Sequence, residues 1–349
     1  MLWTGLGLLA LLLARVLTRH PEIAERLYGQ GLFPLIRNGF DYTIGLLPFP
    51  VFWLILIAAL WLLWRRALIP LRHKTVTWWS LISGLLSTMG AVLFLFYFLW
   101  GFNYARSDVA SRMELSADPL EMQQLEAEFE RATNALSDLT STAGEEIRQQ
   151  MHHLPDGLEA AVRNGIVSLM NRLDMPAPGR VRGRLLAPGG ILLCFNTAGI
   201  YIPFSGEGHV DAGMLPMQVP FTMSHEMAHA LGVTDEGDCN FLAFLACMQS
   251  EDVFIRYSGL LSYWRYVAAE YRRGFPEKYK DRYEQLPDLV RESLFAIQQN
   301  LDKYPEIMPR LRNLVYDSYL KSHGVHEGLK SYSRIVRLVN AYYGSAAAE

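Results

Sequence analysis

No charged residue occurs between Tyr42 and Trp64, and none between Thr75 and Ala105. A helix needs about 20 apolar residues to cross the roughly 30 Å hydrocarbon core of a bilayer, and each stretch is long enough. The pattern predicts membrane spans near 46–64 and 79–100. Trp61, Trp64, Trp78, Trp79 and Trp100 fall close to their ends, where amphipathic rings favour the boundary between lipid and water. Met1 to Ala14 is also uncharged and rich in leucine, and Arg15 could keep its head in water on a helix reaching Thr18. A cleaved leader competes for that segment. It lacks a basic start and a small-residue cleavage pattern, so a retained helix over 2–18 is the better reading. The lipid bilayer is thus the first expected partner.

Arg65, Arg66, Arg72 and Lys74 crowd the loop between the second and third spans, which places that loop in the cytoplasm and the C-terminal region outside it. The first connection carries Arg19, Arg26 and Arg37, diluted by Glu22, Glu25 and Asp41. Ser83 and Ser87 give the third span a small-xxx-small spacing that hints at helix packing. A net charge of -3 over 349 residues leaves no basic footprint for nucleic acid. Cys194, Cys239 and Cys247 are odd in number and not spaced as a thiolate metal site, so they read as small core residues.

Beyond the third span the sequence becomes that of an ordinary globular domain, which divides the chain into an anchor over 1–102 and a soluble domain over 103–349. Asp118 and Pro119, with Glu121 three residues after the cap, predict the start of a helix, and Leu125, Phe129, Ala132, Leu136 and Leu139 continue it at helical spacing. A second helix is expected over 157–173. Glycine, proline and β-formers dominate from Arg180 to Val210 and predict two or three short strands. The helical pattern returns after Pro220. The fold class expected is mainly α with a small β-sheet, plus N-terminal transmembrane helices.

His225-Glu226-Met227-Ala228-His229 lies in this second helical part. Residues four apart share a helix face, so the two imidazoles can bind one Zn²⁺ while Glu226 projects beside it. Zinc lowers the pKa of a bound water to about 7, and a neighbouring carboxylate can take its proton as general base. Catalytic zinc normally has a third protein ligand. Asp235 would serve if a tight turn at Gly232 delivered it six residues after His229, as in metzincins. Glu236 would serve if a new helix began near Asp235, with Asn240 one turn on orienting a ligand histidine from behind, as in gluzincins. Phe241, Leu242, Phe244, Leu245 and Met248 make that helix plausible and favour Glu236. Asp238 reads as a solvated carboxylate at the helix start. Pro216, Pro220 and the acidic run after Val233 exclude a motif inside the membrane.

The chain resembles, over nearly its whole length, a bacterial membrane family called domain of unknown function 3810, placed among HExxH zinc peptidases. The matching residues are His20-Pro21-Glu22 with Glu25 and Tyr28, Trp100-Gly101-Phe102-Asn103-Tyr104, Gly199 to Phe204, Pro220 to Glu226, Asn240 to Ala243, Arg256-Tyr257-Ser258-Gly259 and Ser331-Tyr332-Ser333. Where the family typically reads E-D-E-A-N, this chain has Glu236-Gly237-Asp238-Cys239-Asn240, keeping the first and last. The resemblance implies a three-span anchor in a bacterial membrane and a zincin-like domain, which the loop charges place on the outer side of the cytoplasmic membrane.

The strand-forming segment from Gly199 to Val210 could hold an extended peptide by adding it to a sheet edge, or serve as an ordinary buried strand. Tyr257, Tyr332 and Arg256 are candidates to donate to a developing oxyanion. His152, His153, His209, His323 and His326 have no partner spacing and read as surface or loop residues. Two functions follow. The first is a membrane-anchored zinc metallopeptidase acting on a peptide or protein near the membrane surface, with Glu226 as catalytic carboxylate and His225, His229 and Glu236 on the metal. The second is a non-catalytic, membrane-anchored binding or regulatory protein in which the metal only holds the fold.

Overall fold

The computed structural model describes residues 2–65, 69, 77–309, 314 and 334–346. The chain divides into two compact units. One comprises Met1–Ser107 with Pro178–Arg182 and Tyr201–Glu207, the other Asp108–Ala177, Gly183–Ile200 and Gly208–Glu349.

In the first unit, α1 (Leu2–Leu17) is followed by α2 (Pro21–Asp41), bent from it by 114°. Within α2 the stretch Ala24–Leu32 is π-helical. Next come α3 (Phe52–Leu63) and α4 (Trp78–Leu99), the latter capped by Thr77, whose hydroxyl accepts from Ser80 N. Among the described residues α4 alone is long and apolar enough to cross a membrane by itself. α1 passes that test only jointly with α2, and α3 supplies 12 apolar residues before the chain leaves the described region. Both α1 and α4 expose large aliphatic side chains along most of their length, which suits a surface solvated by lipid.

The small residues that pack these helices are not Ser83 and Ser87, which the structure leaves exposed and half-buried. α1 crosses α4 at Gly7 and Gly90 instead. A Cβ on Gly7 would lie 2.6 Å from Gly90 O, and one on Gly90 only 2.3 Å from Trp3 O. Backbone meets backbone there, as at small-residue contacts between membrane helices. Gly90→Leu is therefore expected to force α1 off α4, costing about 1–3 kcal/mol or more, read as a lower melting midpoint of the detergent-solubilised protein.

The inner row of α2 consists of Ala24, Tyr28, Phe33, Arg37 and Asp41. Tyr28 and Phe33 join Trp100 in an aromatic core. Tyr28 Oη donates to Phe98 O at 3.0 Å, and Glu25 pairs with Arg106 at 2.7 Å. Arg37, counted above among loop charges, is fully buried. It is paired with Asp41, and its Nη1 donates to Gly206 O at 2.7 Å. Asp41 in turn accepts from Arg180 N at 2.9 Å.

In the second unit a single helical turn, Val109–Arg112, precedes α5 (Met122–Gln150). Its cap is Glu121, reciprocally bonded with Gln124, so the helix begins later than Asp118 and Pro119 predict; Asp118 instead pairs with Ser116 Oγ. α6 (Leu158–Arg172) follows. Strands β1 (Arg182–Leu186), β2 (Gly199–Ile202) and β3 (Glu207–Asp211) form a sheet in the order β1–β3–β2. Buried Asp211 accepts from the amides of Gly190, Leu192, Leu193 and Gly213 and so fixes the loop between β1 and β2. His209 is a correction to the surface reading: it is fully buried on β3, and burial pushes its pKa down to about 4, which keeps it neutral.

The remaining helices are α7 (Val219–Ala230), α8 (Glu236–Met248), α9 (Val253–Gly274), α10 (Pro276–Glu284), α11 (Asp288–Leu301) and α12 (Arg334–Ala346). Met227, Phe241, Leu242, Phe244, Tyr263 and Trp264 form the centre of the core between α7, α8 and α9. α5 lies along α9, with Phe129 stacked on Tyr271 at 4.1 Å between centroids and buried Glu128 bonded to Tyr263 and Arg131.

Candidate metal centre

Every residue of α7 except Thr222 is buried, so this helix is enclosed on all sides rather than amphipathic. Pro220 sits in its first turn, where no amide hydrogen is needed. Ser258 Oγ on α9 accepts from Phe221 N at 3.1 Å and caps that end. At the other end Gly232 adopts φ +93°, a left-handed conformation open to glycine, and turns the chain so that Val233 O comes back beneath the helix. Asp235 then starts α8, its carboxylate accepting from Asp238 N at 3.0 Å.

The turn brings His225, His229 and Glu236 together. Their ligating atoms all lie within 4.8 Å of one another, and all three side chains are buried. Glu236 Oε2 is 3.1 Å from His225 Nε2 and 3.5 Å from His229 Nε2. The far nitrogen of each ring faces a carbonyl: His225 Nδ1 lies 2.9 Å from Asn240 Oδ1, and His229 Nδ1 lies 2.9 Å from Val233 O. A carbonyl oxygen only accepts, so each Nδ1 carries a hydrogen, and in the neutral ring that leaves Nε2 as the atom free to ligate. Two lone pairs and a carboxylate oxygen converging in a buried site are a donor set that fits a metal cation.

Glu226 points to the sheet. Its Oε2 is buried with no hydrogen-bond partner. A Cβ on Gly199 would lie 2.5 Å from Glu226 Oε1, and one on Gly208 2.6 Å from Glu226 Cβ. The two strands can approach this carboxylate because both positions lack side chains. Burial pushes its pKa up to about 7 against the pull of the two histidines.

The other predicted residues stand as follows. Asp235 is outside the group, engaged at the head of α8 and 3.5 Å from Arg334. Asp238, read as solvated, is fully buried; its Oδ2 accepts from Val109 N at 2.7 Å, and burial, with Asp235 adding, pushes its pKa up to about 8. Tyr257 is buried against Ser293, 2.7 Å away, and does not reach the histidines. Arg256 lies next to Tyr257 near the start of α9. Tyr332 lies outside the described residues. The Arg256–Gly259 motif is scaffold: Ser258 caps α7, and Gly259 lets α9 close on α8, since a Cβ there would lie 2.5 Å from Cys247 Cβ.

Sequence reasoning missed Gly208 and Tyr266. Glycine within a β-forming run signals a close approach of backbone, and that signal was present at Gly208. Tyr266 lies further along α9 with its hydroxyl 3.4 Å from Asn240 Oδ1, and nothing in the sequence marked it. Cys239 stands behind the site with Sγ 3.3 Å from His229 Nδ1; burial pushes its pKa up to about 12, so it stays a thiol. Removing the acceptor at His225 in Asn240→Ala is expected to weaken metal binding about 10–100-fold, measured by competition against a chelator of known affinity.

Fold and site together define a mainly helical protein with an apolar N-terminal part and a buried His-His-Glu group able to hold a metal. The chain belongs to the family described as Protein of unknown function (DUF3810), whose model matches residues 28–340. No curated protein and no solved structure matches it.

Proposed function

We propose that the protein is a membrane-anchored zinc metallopeptidase. The observation that carries this reading is the tautomer-fixed convergence of His225 and His229 on Glu236, with Glu226 buried beside them and one oxygen unpartnered. Two imidazoles and one carboxylate are a ligand set used for catalytic Zn²⁺, which supplies Lewis-acid polarisation of a carbonyl and acidifies water. Asn240 and the Val233 carbonyl hold the imidazoles in register. Glu226, poised near neutrality, takes the proton of an attacking water and returns it to the leaving amine. Tyr266 donates to Asn240 Oδ1 and so steadies the group that backs His225.

The anchor reading is of three spans, with the second unit outside the cytoplasm. Glu25 and Arg106 are paired at 2.7 Å, and in a membrane-spanning chain that pairing keeps both ends of the intervening segment on one side. The number of crossings between them must then be even. If α4 crosses, the apolar segment containing α3 must cross as well, and this supports a cytoplasmic loop carrying Arg65, Arg66, Arg72 and Lys74.

The test is elemental analysis of the protein purified in detergent, combined with a broad peptide library. One zinc per chain and cleavage abolished by chelation are expected. Zinc without cleavage would favour the alternative in which the domain binds a peptide or partner without catalysis, and no metal would sink both.

A further inference from the structure

We infer that α2 is an in-plane membrane anchor whose outer row, Ile23, Leu27 and Leu35, sinks among the acyl chains at the bilayer surface. The inference rests on the membrane reading above and adds a second mode of attachment to it. Scattered apolar residues are normal on any surface. These three form one row, and they are 42, 64 and 68 % exposed. The π-helical stretch aligns them, because a π-helix takes more residues per turn than the 3.6 of an α-helix. Residues four or five apart therefore stay roughly in line along α2: Ile23, Leu27 and Leu35 (with Gly31 between) on the outer row, and Ala24, Tyr28, Phe33, Arg37 and Asp41 on the inner row.

The inner row cannot turn outward, since Tyr28, Arg37 and Asp41 are committed to Phe98 O, Gly206 O and Arg180 N. The outer row is thus the face of α2 left to meet its surroundings. The identity of those surroundings follows from continuity. α2 leaves α1 at 114°, and α1 exposes Leu8, Leu9, Leu12, Leu13 and Val16, a surface that suits lipid. At that angle to α1, α2 runs across the bilayer normal at the end of the apolar α1 segment. Exposed Arg19 and Arg26 flank exposed Glu22 at this end, leaving a small cationic excess to face anionic headgroups. Since the inner row grips Gly206 and Arg180, lipid insertion of α2 also holds the connection between β2 and β3 at the membrane surface.

The experiment uses the full-length protein in phosphatidylcholine–phosphatidylglycerol vesicles. Cys194→Ser removes the half-buried native thiol, leaving buried Cys239 and Cys247. Leu27→Cys and Leu35→Cys then carry an environment-sensitive fluorophore, with Val92→Cys on α4 as the bilayer control and Glu277→Cys as the aqueous control. Labels at 27 and 35 are expected to be quenched by nitroxides near the headgroups, about 5–10 Å into the boundary, and to be several-fold less accessible to iodide than the label at 277. Free iodide access at 27 and 35, with the label at 92 still lipid-quenched, overturns the in-plane anchor and leaves the spans standing. Free access at 92 as well overturns the membrane reading and this inference with it. Shielding of 27 and 35 that disappears when the protein is diluted among excess vesicles would assign the row to a second copy of the chain and overturn the lipid assignment.

Discussion

Glu226→Gln is expected to cut peptide hydrolysis by about 10²–10⁴-fold, the range for losing a general base, while zinc stays bound at one per chain. The substitution keeps the shape of the side chain, which matters because Gly199 and Gly208 leave room for little more. It removes proton acceptance and nothing from the His225–His229–Glu236 group. The opposite dissociation is expected for Glu236→Ala, which takes away one of the three converging donors and should lose metal and activity together. Measuring both variants by elemental analysis and by cleavage separates the roles. Equal cleavage rates for Glu226→Gln and the parent chain would exclude Glu226 as the base, whatever the metal content.

Much of this centre was readable from residue spacing. His225 and His229 had to share a helix face, and the choice between Asp235 and Glu236 depended on where the next helix began. Asp235 is a good helix cap, so it is used up at the head of α8, and Glu236 falls on the side facing the histidines. What spacing could not supply was the tertiary surroundings. Whether Asp238 is solvated or buried depends on the amide of Val109, and whether Tyr257 or Tyr266 faces the site depends on how α9 rolls against α8. Two tyrosines on one helix carry no sequence mark that tells them apart. In the N-terminal part, apolar runs located α1, α3 and α4, whereas α2 lies in what reads as a charged connection. The contact at Gly7 and Gly90 escaped, because a single glycine on each of two distant segments has no spacing to read. The buried role of Arg37 escaped for a related reason. A charge in a connection reads as solvated until its partners, Asp41, Arg180 and Gly206, are brought to it by the fold.

Asp41→Ala is expected to destabilise the first unit by about 3–5 kcal/mol, the usual cost of leaving one member of a buried ion pair alone. Arg37 and Asp41 are 1 and 2 % exposed in their side chains. Burial holds the Asp41 carboxyl above its ordinary value even with the Arg37 cation beside it, so removing the charges from water outweighs their attraction. The pair is therefore a poor source of stability and a strong source of position. It ties α2 to Gly206 O on one side and to Arg180 N on the other. Arg37→Met should cost a similar amount. In the double variant neither charge is stranded; the Gly206 carbonyl and the Arg180 amide lose partners at about 1–3 kcal/mol each, and Tyr201 Oη loses a long contact from Arg37. The double variant should thus fall well short of the sum of the two singles. Chemical denaturation in detergent, with hydrogen exchange read at residues 201–207, measures both effects. Additive losses would mean that the two side chains act independently and that the connection between β2 and β3 is held by something other than their pairing.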